Sequence, residues 1–405
     1  MIHIPNSIQT QCELVLGDWT SFHCRPETVW HERTIDFLTS LSTEIRRHPE
    51  AKSSPDLMAL AFWLRKSHLL SMRRECHTAE LSMGLGLTFH ICPSNVPINF
   101  AYSLAFALLA GNSCVLRLSS KSNRATEIVL QTLTVLTNKP ENFSIAKRIL
   151  LLSYQYNDDI SAFWFSKAAG KVIWGGDSTI NKMRQFPTPP RSREVAFADR
   201  YSFCVINAEY VLSIDNNQLQ SECQNIFNDI YQLDQAGCSS PQLCIWVGSN
   251  NSILQAKGKI WQNVSIIAAK KRTDVNDIQV LNKFVNTCDA IIDHDQVTKV
   301  DIISPQLTLI TVDKLNIAQH QFRGTSGQIY EASIQSLDEL VPLINEKVQT
   351  LSYLGIDKYA LQELIINNNL TGIDRIVPTG KALNMHNLWD GYDIIAGLSR
   401  IITIE

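Results

Sequence analysis

Two residues of this sequence stand where their side chains could handle a carbonyl group. Asn95 lies in HICPSNVPINF, residues 90–100, where one apolar run stops at two prolines enclosing Ser-Asn-Val and another then begins. Pro93 and Pro97 fix φ on either side, lowering the entropic cost of holding the Asn95 carboxamide in one place. An amide held that way can donate to a developing oxyanion; its other reading is a cap on the helix that follows. Cys238 lies in DQAGCSSPQ, residues 234–242, among small neighbours. Thiolate is the reactive form of cysteine, and a thiol between Gly237 and Ser239 is open to a carbonyl substrate in a way that a strand cysteine such as Cys244 is not. In a chain with ten cysteines, an inert packed thiol is the competing reading.

The elements that must position these residues can be read from periodicity and punctuation. GLGLTFHI, residues 84–91, is a short strand ending at the proline corner. INFAYSLAFALLA is an apolar helix closed by Gly111, and SCVLRLS is the next strand, which completes a βαβ unit. RILLLSY, KVIWGG and SFCVIN read as further strands, with the helical NDDISAFWFSKAAG between the first two, so a parallel sheet covered by helices is expected. In such sheets ligands sit beyond the carboxyl ends of the strands, where residues 93–97 fall. Gly175 and Gly176, after the VIW strand, would let backbone approach a pyrophosphate, or would serve as an ordinary strand-to-helix turn. Leu219, Cys223, Ile226, Phe227, Ile230 and Tyr231 share one helical face, after which the chain passes through the Cys238 loop into the strand LCIWV. The first 80 or so residues read as mainly helical, with helices over 56–72 and within 17–48 after a proline-interrupted loop.

Composition sets the outer bounds. With 405 residues, 45% of them hydrophobic and 19% charged, the chain can bury large cores and is long enough for two domains. A net charge of −3 provides no basic face for nucleic acid or an anionic membrane, so small, neutral or acylated partners are expected. The opening MIHIPNSIQT has no secretory pattern, and no apolar run has the length of a membrane span. The cysteines lack metal-ligand spacing and read as reduced thiols of a cytoplasmic protein with no metal.

The two chemistry-bearing segments carry a resemblance. HICPSNVPINFAYSLAFALLAGNSCVLRLSS resembles the Pro-Trp-Asn-Phe-Pro segment of the aldehyde dehydrogenase superfamily, and DQAGCSSPQLCIWV resembles the segment bearing its nucleophilic cysteine. Within that superfamily the chain is most similar to the fatty acyl-CoA reductase family, whose best-known member supplies aldehyde to bacterial luciferase. VIWGGDSTI, FADRYSF and GIDRIVPTGKALNMHNLWDGYDII, residues 372–395, are similar to segments of that family.

The resemblance implies roles. Cys238 would attack an acyl thioester and become acylated, while the Asn95 amide and the Cys238 backbone N–H would bind the oxyanion. Hydride from a reduced nicotinamide would then release an aldehyde. Pro93, Ser94, Arg117, Ser119, Ser120, Gly175 and Gly176 would contact that cofactor, with Ser119 and Ser120 in place of the superfamily's Pro-Ser-Glu and Arg117 in place of its lysine. The missing acid at Ser120, with Arg117, Lys121 and Arg124 nearby, favours NADPH; those charges also suit a solvated surface.

Three departures from the superfamily pattern matter. AFADRYSF has no counterpart of the glutamate that hydrolyses the acyl-enzyme in oxidising members, which suits reduction or thiol exchange; Asp199 reads as a surface turn carboxylate. The Glu-x-Phe-Gly-Pro segment is absent, and Arg323 or its neighbours take its region. His386, Trp389 and Asp390 in the tail could line an acyl channel or merely pack and cap, and His90 reads as a satisfied core residue.

The sequence therefore predicts an α/β, aldehyde dehydrogenase-like fold. Residues 1–205 form a nicotinamide-binding domain with a helical N-terminal part, 206–380 a catalytic domain bearing Cys238, and 381–405 a return segment with a possible oligomerisation strand in SRIITIE. The expected activity is NADPH-dependent reduction of an acyl-CoA or other activated acyl group, with an acyl-CoA or acyl-carrier substrate, an acyl-activating partner enzyme and a homo-oligomeric assembly. The alternatives are a cofactor-independent acyl-thioester transferase or hydrolase and a non-catalytic acyl-binding partner protein.

Overall fold

A computed structural model describes residues 2–76, 81–273, 275, 277–313, 315 and 320–405. The chain forms two compact units, Met1–Asp199 with Met385–Glu405 and Arg200–Asn384.

The first unit is built on a six-stranded sheet in the order Glu13–Leu16, Ile149–Ser153, Ser113–Arg117, Leu87–Ile91, Gly170–Trp174, Arg193–Phe197. All neighbours are parallel except the first pair. From Leu87–Ile91 the chain steps outward through two βαβ units, then returns to add Gly170–Trp174 on the other side. Strand order thus reverses beside Leu87–Ile91, and at such a reversal the loops on either side diverge and leave a crevice.

The helix Asn99–Leu109 shows why this arrangement forms: Phe100 through Leu109 are all buried. A helix apolar on every side has no solvent face and must lie inside, each large side chain contributing about 1.5–3 kcal/mol on burial. It closes at Gly111, whose φ is +82°; a Cβ there would lie 2.2 Å from the Glu27 carbonyl oxygen. The next residue, buried Asn112, accepts from the backbone N–H groups of Leu85 (2.6 Å) and Gly86 (3.1 Å) and donates to the Leu398 carbonyl (2.8 Å). One side chain thereby fixes the entry to the central strand and holds the C-terminal segment.

The N-terminal reading is only partly met. Glu13–Leu16 is a strand at the sheet edge, and the stretch 56–72 divides into helices Pro55–Trp63 and Lys66–Glu75. Leu64 ends the first helix and Arg65 is extended. The break is held by one local and one long-range bond: the His68 ring meets the Trp63 carbonyl at 2.8 Å, and the buried Trp63 indole donates to the Met385 carbonyl at 2.9 Å.

The second unit has a seven-stranded sheet in the order Val297–Ser304, Leu307–Val312, Gln328–Ile334, Leu243–Val247, Tyr201–Asn207, Val348–Leu354, Arg375–Pro378. Only the first pair is antiparallel. Tyr201–Asn207 pairs with Leu243–Val247 and Val348–Leu354, so the boundary lies at Asp199 and Arg200 rather than at 205. The closing segment contributes Ser399–Ile401, paired antiparallel with Ser82–Gly84 of the same chain, and belongs to the first unit from Met385 onward.

Candidate active site

The register of the first sheet gathers most of the candidate residues. Ile91 is level with Arg117 on one neighbour and with Ile173 on the other, so three adjacent strands end together. Pro93, Ser94 and Asn95 leave from the central strand, Arg117, Ser119 and Ser120 from one neighbour, and Gly175 and Gly176 from the other. All eight residues stand at the carboxyl edge beside the reversal of strand order, Arg117 as the last residue of its strand and the other seven on three loops with no common local pattern.

Pro93 is buried while Ser94 and Asn95 are exposed. The helix that follows has its N-cap at Ile98 with no side-chain cap, and its first turn is closed by Asn99 N–H to Val96 (3.0 Å) and Phe100 N–H to Pro97 (3.3 Å). The capping position therefore falls on Ile98 rather than on Asn95. The Arg117 guanidinium lies 4.8 Å over the Tyr154 ring, and its buried Nε has no hydrogen-bond partner. Ser119 Oγ accepts from the Lys121 N–H at 3.0 Å, and Ser120 and Lys121 are exposed.

Arg124 departs from expectation. It is engaged by Glu50 at 2.7 Å and Glu127 at 3.2 Å, and its hydrogen bonds hold the Glu50 carboxyl below the usual range. Two carboxylates satisfy this guanidinium, so it does not add free positive charge beside Ser120.

At Gly176 the edge leaves room for a ligand to approach the backbone. Gly176 has an ordinary φ of −66°, and a Cβ built on it would meet nothing within 4 Å. The protein's own packing therefore does not require glycine there, and the space beside this backbone is open to a ligand.

Cys238 belongs to the second unit, on the loop between the helix Asn216–Tyr231 and the strand Leu243–Val247. None of the ten cysteines forms a disulfide, and Cys238 is half-buried. The helix begins at Asp215, whose side chain accepts from Gln218 N–H at 2.9 Å, and is left through Asp234 and Gln235 at φ of +50° and +60°. These left-handed residues turn the chain sharply, a conformation a non-glycine residue keeps only where its surroundings hold it.

Two buried glutamines do the holding. Gln235 donates to the carbonyls of Gln328 (3.0 Å) and Pro241 (3.3 Å) and accepts from Gly327 N–H (2.8 Å). Gln242 donates to the Gln235 carbonyl (3.1 Å) and accepts from Gly324 N–H (2.8 Å). Ser202 Oγ donates to the Cys238 carbonyl at 2.7 Å and accepts from Thr350 N–H at 3.2 Å. Buried amides bonded at both ends make a stiff frame, because breaking any one bond leaves a desolvated polar group. Sequence reading missed Gln235, Gln242 and Ser202; the available signal was two glutamines placed at both ends of AGCSSP.

The tail segment docks on the other side of the same helix. Asp229 accepts from the N–H groups of Gly380 (2.7 Å) and Ala382 (3.1 Å), and Thr379 Oγ1 donates to Glu222 (3.2 Å). Burial pushes the Asp229 carboxyl up to about 7 against the opposing pull of those N–H bonds. A carboxyl raised in this way keeps its proton in the folded chain where the unfolded chain has lost it, so its contribution is complete below the unfolded pKa of about 4 and is lost as pH rises to about 7. Asp229→Asn is expected to flatten this part of the stability curve, read as urea midpoints across that range; a midpoint that still falls as steeply contradicts the assignment.

The remaining residues sort plainly. His90 is buried, bonded to Ser103 (2.7 Å) and Thr88 (2.9 Å), and burial lowers its pKa to about 3, so it is a neutral core residue. Asp199 is exposed, between the strands Arg193–Phe197 and Tyr201–Asn207. Arg323 donates to the carbonyls of His320 (3.2 Å) and Arg200 (2.6 Å) and lies over Tyr201. His386 pairs with Glu75 at 3.1 Å and accepts from Leu388 N–H at 3.2 Å, while Trp389 and Asp390 are buried. Among the described residues there is no cluster able to hold a metal and no helix long and apolar enough to cross a membrane.

Comparison with known proteins gives the family and the fold. The family described as Acyl-CoA reductase (LuxC) matches residues 64–403. Long-chain acyl-protein thioester reductase of Aliivibrio fischeri is 22% identical over 324 residues, covering 78% of this chain and 63% of that protein. The Photorhabdus luminescens protein of the same name is 23% identical over 328 residues with the same coverage. The chain thus spans under two thirds of these relatives' length. Among solved structures, lactaldehyde dehydrogenase from Escherichia coli superposes with a TM-score of 0.62 at 12% identity, over 92% of this chain and 86% of that one. A NAD-dependent benzaldehyde dehydrogenase from Corynebacterium glutamicum gives 0.60 at 12%, over 91% and 84%. At such identity these likenesses show the fold alone, which is aldehyde dehydrogenase-like and α/β.

Proposed function

Because the chain belongs to the LuxC acyl-CoA reductase family, we propose that it reduces an acyl thioester to the aldehyde through an acyl group carried on Cys238. The observation that carries this reading is a half-buried, undisulfided cysteine on a loop whose backbone is pinned by two buried glutamines. A nucleophile must meet its carbonyl at a set angle, and a rigid loop supplies that orientation before substrate arrives.

In this reading the Cys238 sulfur attacks the thioester carbonyl, the bond to the substrate's own sulfur breaks, and that thiol leaves with the proton Cys238 gave up. The Asn95 amide and the Cys238 N–H donate to the oxyanion of the tetrahedral intermediates. Reduced nicotinamide, when bound, supplies the hydride that converts the acyl group to aldehyde. Pro93 and Ser94 would shape the corner beside it, Gly175 and Gly176 would give room for its pyrophosphate, and Arg117, Ser119 and Ser120 would hold its adenosine ribose. No glutamate stands in AFADRYSF to activate water, which preserves the acyl group until it is reduced.

The acyl group arrives as a CoA ester or on a carrier protein; the names of the relatives favour a protein carrier. Ser120 and Lys121, both exposed and neither acidic, favour NADPH as the cofactor. The test is aldehyde formation from acyl-CoA and acyl-protein with NADPH or NADH. Ser120→Glu places a carboxylate where a 2′-phosphate would lie and is expected to cut the NADPH-over-NADH ratio of kcat/KM by about tenfold or more. An unchanged ratio removes Ser120 from cofactor selection. Acyl transfer or hydrolysis with no nicotinamide consumed overturns the reductase reading altogether.

A further inference from the structure

The first unit contains a second concave site, away from the carboxyl edge. A cavity of about 290 Å³ is lined by Arg191, Arg193 and Arg400 together with Ser82, Ser399 and Ile401. Arg193 opens the edge strand Arg193–Phe197, whose far end, Phe197, accepts from the Gly175 N–H. A five-residue strand, at roughly 3.3 Å per residue, separates the cavity from the glycine pair by about 15 Å.

The arginines are poised rather than neutralised. Nη1 of Arg193 donates to the carbonyls of Ala396 (3.1 Å) and Ser399, which fixes its guanidinium at the cavity wall. Arg191 and Arg400 are exposed, and among the described residues no carboxylate pairs with any of the three. This is unusual in a chain whose 39 acidic residues outnumber its 36 basic ones. Three like charges gathered around one small space repel one another, and an anion placed between them reverses the sign of that interaction.

We propose that this cavity binds a phosphate dianion, free or as the ester of a small metabolite, at a site separate from the reaction. Guanidinium forks match phosphate oxygens in pairs, and the Ser82 and Ser399 side chains line the same cavity as further polar groups. The Ile401 side of the cavity offers an apolar wall for an organic body.

The test is calorimetric titration of the full chain with inorganic phosphate and with ribose 5-phosphate. Saturable binding is expected, weakened about tenfold or more in the Arg191→Ala/Arg400→Ala double variant and steeply dependent on salt. Tighter binding of the ester assigns the site to a phosphorylated metabolite, and equal or tighter binding of inorganic phosphate assigns it to the free ion; either supports the proposal. Both substituted side chains are exposed, so the double variant is expected to melt with the parent, which a thermal scan checks. Absence of saturable binding, binding unchanged in the double variant, or loss of binding in Arg117→Ala instead would each overturn it.

Discussion

On the proposed reading, Cys238→Ala is expected to abolish aldehyde formation, with turnover falling by about 10⁴-fold or more, because removal of a covalent nucleophile leaves only binding and electrostatic stabilisation. The fold should survive this change. Cys238 is half-buried, and the loop backbone is held by the Gln235 and Gln242 side chains and by Ser202, which bonds the Cys238 carbonyl that alanine keeps. A melting curve that matches the parent chain while turnover disappears separates chemistry from folding. Turnover within tenfold of the parent would place the nucleophile elsewhere; Cys76 and Cys288 share the partial exposure of Cys238, and the other seven cysteines are poorer candidates. Cys92, Cys114, Cys204, Cys223 and Cys244 are buried, and burial raises the pKa of Cys92, Cys114, Cys223 and Cys244 and so suppresses the thiolate. Cys12 and Cys24, less enclosed, are still pushed up to about 11 by burial.

Asn95→Ala is the second large effect. Loss of one oxyanion donor costs about 10²–10³ in kcat, and because the donor acts on charge that develops only in the transition state, KM for the thioester should change little. Asn95 is exposed and the helix after it is closed by backbone bonds from Asn99 and Phe100, so stability should move little. Asn95→Asp tests the same point from the other side: it keeps the shape, removes both donors and adds negative charge, so it should be no better than alanine. A kcat within about threefold of the parent in both variants would assign the oxyanion to other donors.

The parts of this structure that were legible in the sequence are those written locally. The strands around residues 87–91, 113–117, 149–153 and 170–174 announce themselves by short apolar runs ending at Pro, Gly or Ser, and the buried helix after the proline corner by its length and lack of charge. Because a parallel sheet places its strand ends on a common edge, that pattern was enough to put the loops after Ile91 and Trp174 on the same edge. Contacts made across long separations were not legible. Arg124 read as a free charge because Glu50, its partner, lies 74 residues earlier. Glu13–Leu16 was hidden because a four-residue edge strand shows one partly buried face and too few alternations to register. The frame around Cys238 depends on Gly324, Gly327 and Gln328, whose approach to Gln235 and Gln242 no spacing rule reveals. Asp229 was invisible for a related reason: on a helical face it reads as one more polar residue, and only its burial against Gly380 and Ala382 gives it a raised pKa.

The most direct measurement is the intact mass of the protein after incubation with a long-chain acyl-CoA in the absence of nicotinamide, followed by peptide mapping. The account predicts a single acyl group, cleavable by hydroxylamine, on the peptide containing Cys238, and its disappearance with release of aldehyde once NADPH is added. No adduct with either acyl-CoA or acyl-protein, or an adduct that persists in Cys238→Ala, would contradict it.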